Sequence, residues 1–578
     1  MFVQGLESRR LLSTAVVTSG VLVITGTDAN NFITMNFNGP LNRVLVNDST
    51  ASGPSTQIGS FPPASFTKIS VKLLGGNDFL SISYIEIKPM TIDGGAGNDQ
   101  MAGGDGADNI LGGLGNDVIT AAKGNDVVDG GDGDDNLLGG FGNDILKGGA
   151  GVDVLGGQQD SDLLDGGTSG DQLRGGEGID TVTYAGRLNP VTVDITDSTT
   201  ELPDDGELGE KDFVHADVEN VIGGNGNDRL TGTVLIGTVF TGFTKNNKLV
   251  GGPGLDMLNG LDGNDVLDGG TGKDNINGGL GIDTVDYTGR PEALKITLDG
   301  VANDGAPLEN DLIAADIENA TGGNGRDAIF GNAGANALNG GSGDDLLDGL
   351  LGADKMNGGS GIDTVTYASR AAAVNASIDN VANDGQVGEL DNIQADVENL
   401  IGGSGNDNLS GSAGNNALTG GSGNDNLKGG AGNDLLDGGI GQDIMLGEAG
   451  IDTVTYASRL APVTVKLDAL GGDGQLAEND TVKADVENVI GGNGADIING
   501  SAVANVLNGG PGNDVIRGGD GNDSITGGTG VDQLFGDAGN DTFFARDTSS
   551  DKVDGGLGTD SAQINAGDIL ISIEMIIP

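Results

Sequence analysis

The sequence predicts an all-β chain wound as a β-solenoid, and three observations carry that prediction. From Gly94 to Thr183 a nine-residue period holds in register through about ten copies, beginning GGAGNDQMA GGDGADNIL GGLGNDVIT. The copies follow GGxGxDxUx, with U a large apolar residue, so a xUx triplet of strand character recurs every ninth position. Glycine makes up 111 of the 578 residues without the every-third spacing of a collagen helix. A flexible Gly/Asp-rich linker has no reason to place an apolar residue every ninth position.

Each repeat position has a physical reason. Glycines at one, two and four let the chain take positive φ and leave backbone carbonyls uncovered. The triplet sends one apolar side chain inward and its neighbours outward. In the first array the inward set is Met101, Ile110, Ile119, Val128, Leu137, Leu146 and Leu155. One unit alone buries nothing, whereas stacked units make a ladder of U residues and rows of oxygens. The sixth position adds a carboxylate to each row: Asp99, Asp108, Asp117, Asp126, Asp135, Asp144, Asp153, Asp162, Asp171 and Asp180. Later copies place Asp228, Asp256, Asp265, Asp274 and Asp283; Asp327, Asp345, Asp354 and Asp363; Asp407, Asp425, Asp434, Asp443 and Asp452; and Asp496, Asp514, Asp523, Asp532, Asp541 and Asp560. Hard oxygen donors without nitrogen or sulfur suit Ca²⁺, and these aspartates are the candidate metal ligands.

The pattern resembles the RTX family, the haemolysin-type calcium-binding nonapeptides that form a parallel β-roll. The resemblance implies two nonapeptides per coil, with Ca²⁺ between the turns of successive coils held by sixth-position carboxylates and turn carbonyls. It also implies an extracellular protein exported by a type I machine, although no motif here marks that route.

Composition points the same way. Formal net charge is −59, from 86 acidic and 27 basic residues, so the chain repels itself unless cations neutralise it. Nucleic acid and anionic membrane surfaces are poor partners for such a chain, and divalent cations are natural ones. Roughly 20 inter-turn sites would offset about 40 of the charges. With no cysteine and one histidine, His215, disulfide staples and Cys/His zinc sites are excluded. No apolar run approaches the roughly 18 residues that span a bilayer.

Taken in order, residues 1–13 resemble an N-terminal targeting tag. The stretch LLSTAVVTSGVLVI behind Arg9 and Arg10 offers the core of a secretory signal, but Ser, Thr and Gly interrupt it and no A-x-A site follows, and VLVITGTDANNFITMNF reads better as strand, turn, strand. Residues 14–93 form a degenerate solenoid cap, in which Asp78 and Leu80 match positions six and eight. RTX arrays are expected at 94–183, 223–286, 322–366, 402–455 and 491–544, the second interrupted by a loop at 233–250. Longer units fall between them at 184–222, 287–321, 367–401 and 456–490, read as wider coils of the same solenoid. Residues 545–578 make a C-terminal cap, its apolar DILISIEMIIP suited to covering the last coil. Three arrays carry Asn336, Asn416 and Asn505 where Asp is expected, which keeps an oxygen but loses the charge and disables the site.

The long units repeat Tyr184, Tyr287, Tyr367 and Tyr456, each followed at three residues by Arg187, Arg290, Arg370 and Arg459. They suggest two readings: structural tyrosines closing the coil with arginines on the acidic surface, or a lyase or epimerase acting on acidic polysaccharide. Four copies along one solenoid favour the first. A DGxxxExD loop in each unit (Asp205, Glu210 and Asp212 in the first) offers three carboxylates for one more Ca²⁺. His215 aligns with Ala314, Gln394 and Lys483, so its position is expected to be exposed, and HExxH metalloprotease chemistry is excluded. The sequence therefore predicts a secreted, non-enzymatic calcium-binding protein that folds on many Ca²⁺ ions. Its role would be structural or adhesive, with extracellular polysaccharide or a cell surface as partner class.

Overall fold

The computed structural model describes residues 13–49, 54–83, 88–196, 204–234 and 246–577. The tag-like stretch through residue 12 and the heart of the 233–250 break lie outside the described residues. The chain falls into two compact units. One comprises Met1–Asp286 with Gly300–Asn303 and Glu309–Ile317; the other comprises Tyr287–Asp299, Asp304–Leu308 and Glu318–Pro578.

The first unit begins with antiparallel pairs. Strand β1 (Thr14–Thr18) turns back on β2 (Val21–Thr27), and β3 (Phe32–Asn38), β4 (Arg43–Ser49) and β5 (Thr56–Phe61) form a meander. Parallel winding starts where β6 (Lys68–Leu74) adds to β2 and β7 (Phe79–Ser83) adds to β3. Strands β8 (Met90–Ala96) and β9 (Gln100–Ala102) continue the two sheets, followed by β10 (Asn109–Leu114), β11 (Val118–Lys123) and β12 (Val127–Asp132).

The register gives the repeat its meaning. Ile110 pairs with Val128 and Ile119 with Leu137, so each residue meets its equivalent eighteen positions on and successive nonapeptides alternate between two sheets. The eighth-position residues meet between those sheets: Ile110, Ile119, Val128, Leu137 and Leu146 are wholly buried. Strands this short gain little alone; the parallel ladder and the shared apolar row make them strands. The second unit is built likewise, with Ala328–Phe330, Leu346–Asp348 and Thr364–Thr366 stacked in parallel over buried Ile329, Leu347 and Val365. The fold is thus a parallel β-solenoid, and among the described residues its only helical turns are two short 3₁₀ segments in the N-terminal region.

In a long unit the chain skips ahead before rejoining the stack. Thr453–Thr455 pairs with Asn488–Ile490, thirty-five residues on, and Val463–Lys466 makes a hairpin with Gly474–Gln475. The apolar C-terminal segment adds to the end of the stack. Ile569–Ile571 and Met575–Ile576 join the sheets as further rungs, with Ile569, Ile571, Met575 and Ile576 exposed. Backbone pairing is available at the sheet edge, whereas the core is already filled by Val553 and Ala562.

Candidate metal centre

The sixth-position aspartates form two ladders. The backbone N–H of Asp99 donates to Oδ1 of Asp117 at 2.7 Å, and Asp117 N–H donates to Asp135 Oδ1 at 2.6 Å. On the other side Asp126 N–H donates to Asp144 Oδ1, and Asp144 N–H to Asp162 Oδ1, both at 2.8 Å. Each carboxylate is thereby fixed by the coil before it, and its second oxygen faces inward.

That second oxygen is the informative atom. In Asp99, Asp117, Asp126, Asp135, Asp144, Asp153, Asp162, Asp171 and Asp180 it is buried with no hydrogen-bond partner. The same holds for Asp256, Asp265 and Asp274; Asp345, Asp354 and Asp363; Asp425, Asp434, Asp443 and Asp452; and Asp514, Asp523, Asp532, Asp541 and Asp560. Asp283 is wholly buried and accepts from Asp265 N–H at 2.8 Å. A buried carboxylate oxygen without a donor is costly. Two dozen of them at one repeat position imply a cation, not a run of defects.

The surrounding backbone fits that cation. A Cβ on Gly94 would lie 2.6 Å from Asp99 Oδ2 and 2.5 Å from the Gly112 carbonyl, so glycine alone leaves those oxygens room. Gly113 has φ of +116°, and a Cβ there would strike the Gly95 carbonyl. Carbonyl and carboxylate oxygens therefore line each turn with no nitrogen ligand among them, the donor set of a hard divalent ion. Among the described residues no three carboxylate or imidazole side chains gather as a metal cluster, so backbone carbonyls must supply much of any ligand set. Burial drives the carboxyls far above their ordinary range: Asp162, Asp171 and Asp274 to about 8, Asp108, Asp117 and Asp144 to about 7.

Five of the expected ligand residues are satisfied otherwise. Asp108, Asp228, Asp327, Asp407 and Asp496 accept on Oδ2 from the N–H of Gly104, Gly224, Gly323, Gly403 and Gly492, at 2.6 to 2.8 Å. Asp228, Asp327, Asp407 and Asp496 open stacks after a break in the period, and Asp108 is the first aspartate of its ladder, with Met90 N–H on its Oδ1; in each the turn draws back onto its own aspartate. The asparagines differ again. Asn336, Asn416 and Asn505 donate their amide NH₂ to the carbonyls of Glu318, Glu398 and Glu487 at 2.6 to 2.8 Å, putting a donor where an aspartate presents a bare oxygen.

Sequence reasoning missed several rungs. Asn247, at the end of the expected 233–250 loop, accepts from Thr233 N–H and donates to the Glu219 carbonyl, and Lys248–Val250 is already strand; the loop therefore ends earlier than expected. Asp551 accepts from Asp532 N–H at 2.9 Å and keeps an unpartnered, buried Oδ2, its nineteen-residue step having hidden it from the period. Fifth-position residues form an outer ladder, as where Asn116 N–H donates to Asn98 Oδ1 and Asp134 N–H to Asn116 Oδ1. The frequent GND spelling is its only trace in the sequence.

The long units carry both inner ladders across the break. Asp171 N–H donates to Asp212 Oδ1 and Asp180 N–H to Glu219 Oε2; Asp480 and Glu487 do the same for Asp443 and Asp452. The three-carboxylate loop of the first long unit has its oxygens engaged within the chain. Asp205 accepts from Asp194 and Val214 N–H, Glu210 from Glu207 N–H, and Asp212 Oδ2 from the Tyr184 hydroxyl at 3.0 Å. Tyr184, Tyr287, Tyr367 and Tyr456 are buried, and each carries its arginine over the ring at 5.8 to 6.0 Å. Arg370 and Arg459 are themselves buried, so these arginines lie inside instead of on the acidic surface. His215 is half-buried, its ring edge-on to Phe213 at 4.8 Å.

Parallel coils of nonapeptides with rows of oxygen donors define a calcium-binding β-roll protein. Sequence comparison agrees: the profile of the RTX calcium-binding nonapeptide repeat matches 91–182, 216–233, 250–285, 315–365, 395–454 and 490–562, more than half of the chain. The chain belongs to the RTX calcium-binding repeat family, and calcium, in many copies, is its cofactor. No curated protein matches it.

Proposed function

We propose that the sixth-position aspartates with a donor-free oxygen, together with turn carbonyls of adjacent coils, are the calcium ligands, and that filling them folds the chain outside the cell. The unpartnered Oδ2 row carries this reading. Without a counter-ion the buried carboxylates repel one another along each ladder, and one large apolar residue per nonapeptide is a thin core to oppose them. Bound Ca²⁺ supplies the positive charge that turns both ladders from a liability into a scaffold. We further infer that the arrays and long units alternate at the boundaries given above, and that the protein is secreted. Its role is then structural or adhesive, at a cell surface or in a polysaccharide matrix. Burial of all four tyrosines, with three hydroxyls committed to aspartates, weighs against a lyase or epimerase centre there.

The test is a Ca²⁺ titration of the full chain followed by far-UV circular dichroism and hydrodynamic radius. We expect a steep gain of β signal and compaction near millimolar Ca²⁺, the range of extracellular modules. A chain already compact and β-rich in chelator would overturn the calcium-coupled mechanism while leaving the fold intact. Incubation with alginate- or pectin-like polymers should give no unsaturated product, and formation of one would overturn the non-catalytic reading.

A further inference from the structure

We propose that each long unit is a calcium-free seam, in which hydrogen-bond donors of the chain itself stand where a cation stands in the nonapeptide stacks. The proposal rests on the calcium reading above and deepens it by saying where the ion rows stop.

The last long unit shows the arrangement most fully. Asp443 Oδ2 is buried without a donor, but on the next rung Asp480 Oδ2 accepts from the Tyr456 hydroxyl at 3.1 Å. Arg459 enters the turn that holds Asp443. It is 7 % exposed, donates from Nη2 to the Gly439 carbonyl, and lies 3.8 Å from Asp437 and 3.7 Å from Glu478. A turn carbonyl and flanking carboxylates are what the ion rows offer Ca²⁺ elsewhere. Here a guanidinium, permanently charged and unable to dissociate, meets them. On the far side of the unit, Gly492 N–H occupies Asp496 Oδ2, and the Asn505 amide occupies the Glu487 carbonyl.

The third long unit repeats the tyrosine, the buried arginine and the closing pair, although Arg370 Nη2 makes no hydrogen bond to a turn carbonyl. Tyr367 donates to Asp391 Oδ2 at 3.1 Å, and Arg370, 5 % exposed, lies 3.8 Å from both Asp348 and Glu389. Gly403 N–H and the Asn416 amide close its far side. In the first, Arg187 lies 3.5 Å from Glu210, Gly224 N–H takes Asp228 Oδ2, and Asn247 serves as the amide. Inner oxygens thus acquire donors on one ladder at the opening edge, at Asp212, Asp391 and Asp480, and at the closing edge of these units, while Asp180, Asp363 and Asp452 keep a bare Oδ2. The asparagines are in this light neither decayed aspartates nor weak sites. They are the closing half of a seam whose opening half is the Tyr–Arg pair.

A seam of this kind needs its arginine for charge, not merely for bulk. Removing the guanidinium leaves Glu478 and Asp437 uncompensated in a buried turn, and removing one of those charges as well should relieve the strain. The test is hydrogen–deuterium exchange with peptide resolution on the full chain at stepped Ca²⁺, comparing wild type with R459M, R459K and R459M/E478Q. R459M should raise by several-fold the Ca²⁺ needed to protect 456–490, while R459K stays near wild type and the double variant returns toward it. Peptides of the 94–183 array should be unchanged in every variant. An additional Ca²⁺ bound by R459M, counted by native mass spectrometry, would likewise support a shared cation position. The proposal is overturned if R459M matches wild type, or if R459K is as impaired as R459M. If R459M folds at no Ca²⁺ concentration, the double variant decides: recovery supports the charge role and continued failure overturns it. Absence of Ca²⁺-dependent protection in wild-type arrays would instead overturn the calcium reading itself, so the two failures are distinguishable.

Discussion

Asp117 Oδ1 accepts the backbone N–H of Asp99 at 2.7 Å, eighteen residues back, while its Oδ2 stays buried with no donor. One oxygen is structural and the other is available to an ion, so the two functions separate by substitution. Asp117→Asn with Asp135→Asn keeps the accepting oxygens and replaces the inner ones by NH₂. With saturating Ca²⁺ the melting temperature should fall, by roughly 1–2 °C for each kcal/mol lost. In chelator, where the two buried carboxylates only repel, the double substitution should cause no loss of stability. Scanning calorimetry under both conditions decides, and equal losses would mean the carboxylates are not acting through metal.

Asn416 is the converse experiment. Asn416→Asp replaces the NH₂ that donates to the Glu398 carbonyl at 2.8 Å with an oxygen facing an oxygen. Metal-free stability should fall by about 1–3 kcal/mol, the cost of a buried acceptor left unpaired. With Ca²⁺ present the number or affinity of bound ions should rise. Isothermal calorimetry showing neither change would remove the donor role assigned to this amide.

Proton linkage gives an independent handle on the metal-free chain. Asp117 and Asp144 are raised by burial to about 7 and Asp162 and Asp171 to about 8, against an ordinary value of 3.8. A folded-state value above the unfolded one means the folded chain binds more protons, so stability is greatest below about 4 and is lost as pH rises toward 8. In chelator, β signal should therefore increase on acidification from pH 8 to pH 5. With subsaturating Ca²⁺ the trend should reverse, because protons then compete for the same oxygens. Circular dichroism indifferent to pH in chelator would contradict this.

Ala122 occupies the second repeat position with φ of +87°, where most copies carry glycine. A side chain in this region costs about 1–2 kcal/mol, partly offset because glycine loses more entropy on folding. Ala122→Gly should raise stability in Ca²⁺ by up to about 1 kcal/mol. A thermal melt showing destabilisation would mean the methyl group packs better than its exposure suggests.

Much of this fold was legible because its chemistry is periodic. Leu137 and Leu155 on the apolar row, and Asp135 and Asp153 on the carboxylate row, repeat at fixed steps and can be read without coordinates. What was hidden depends on neighbours distant in sequence. Asp212 and Glu219 take over the ladders after steps of forty-one and thirty-nine residues, so no period points to them. That Asp228 binds its own turn while Asp256 leaves an oxygen bare follows from the coil stacked on each, although both stand in a GGxGxD or GGxGxD-like frame. The role of Asn505 as a donor depends on the Glu487 carbonyl coming opposite it.

The eighteen-residue register between Ile110 and Val128 also constrains how such a chain can lengthen or shorten over generations. Duplicating or losing two nonapeptides returns everything downstream to the same sheet and the same row of oxygens. Gain or loss of a single nonapeptide exchanges the two faces of all that follows within the stack, delivering each outward side chain to the opposite side. Inheritable growth is therefore quantised in pairs, and any surface pattern on one face survives only those length changes that are even.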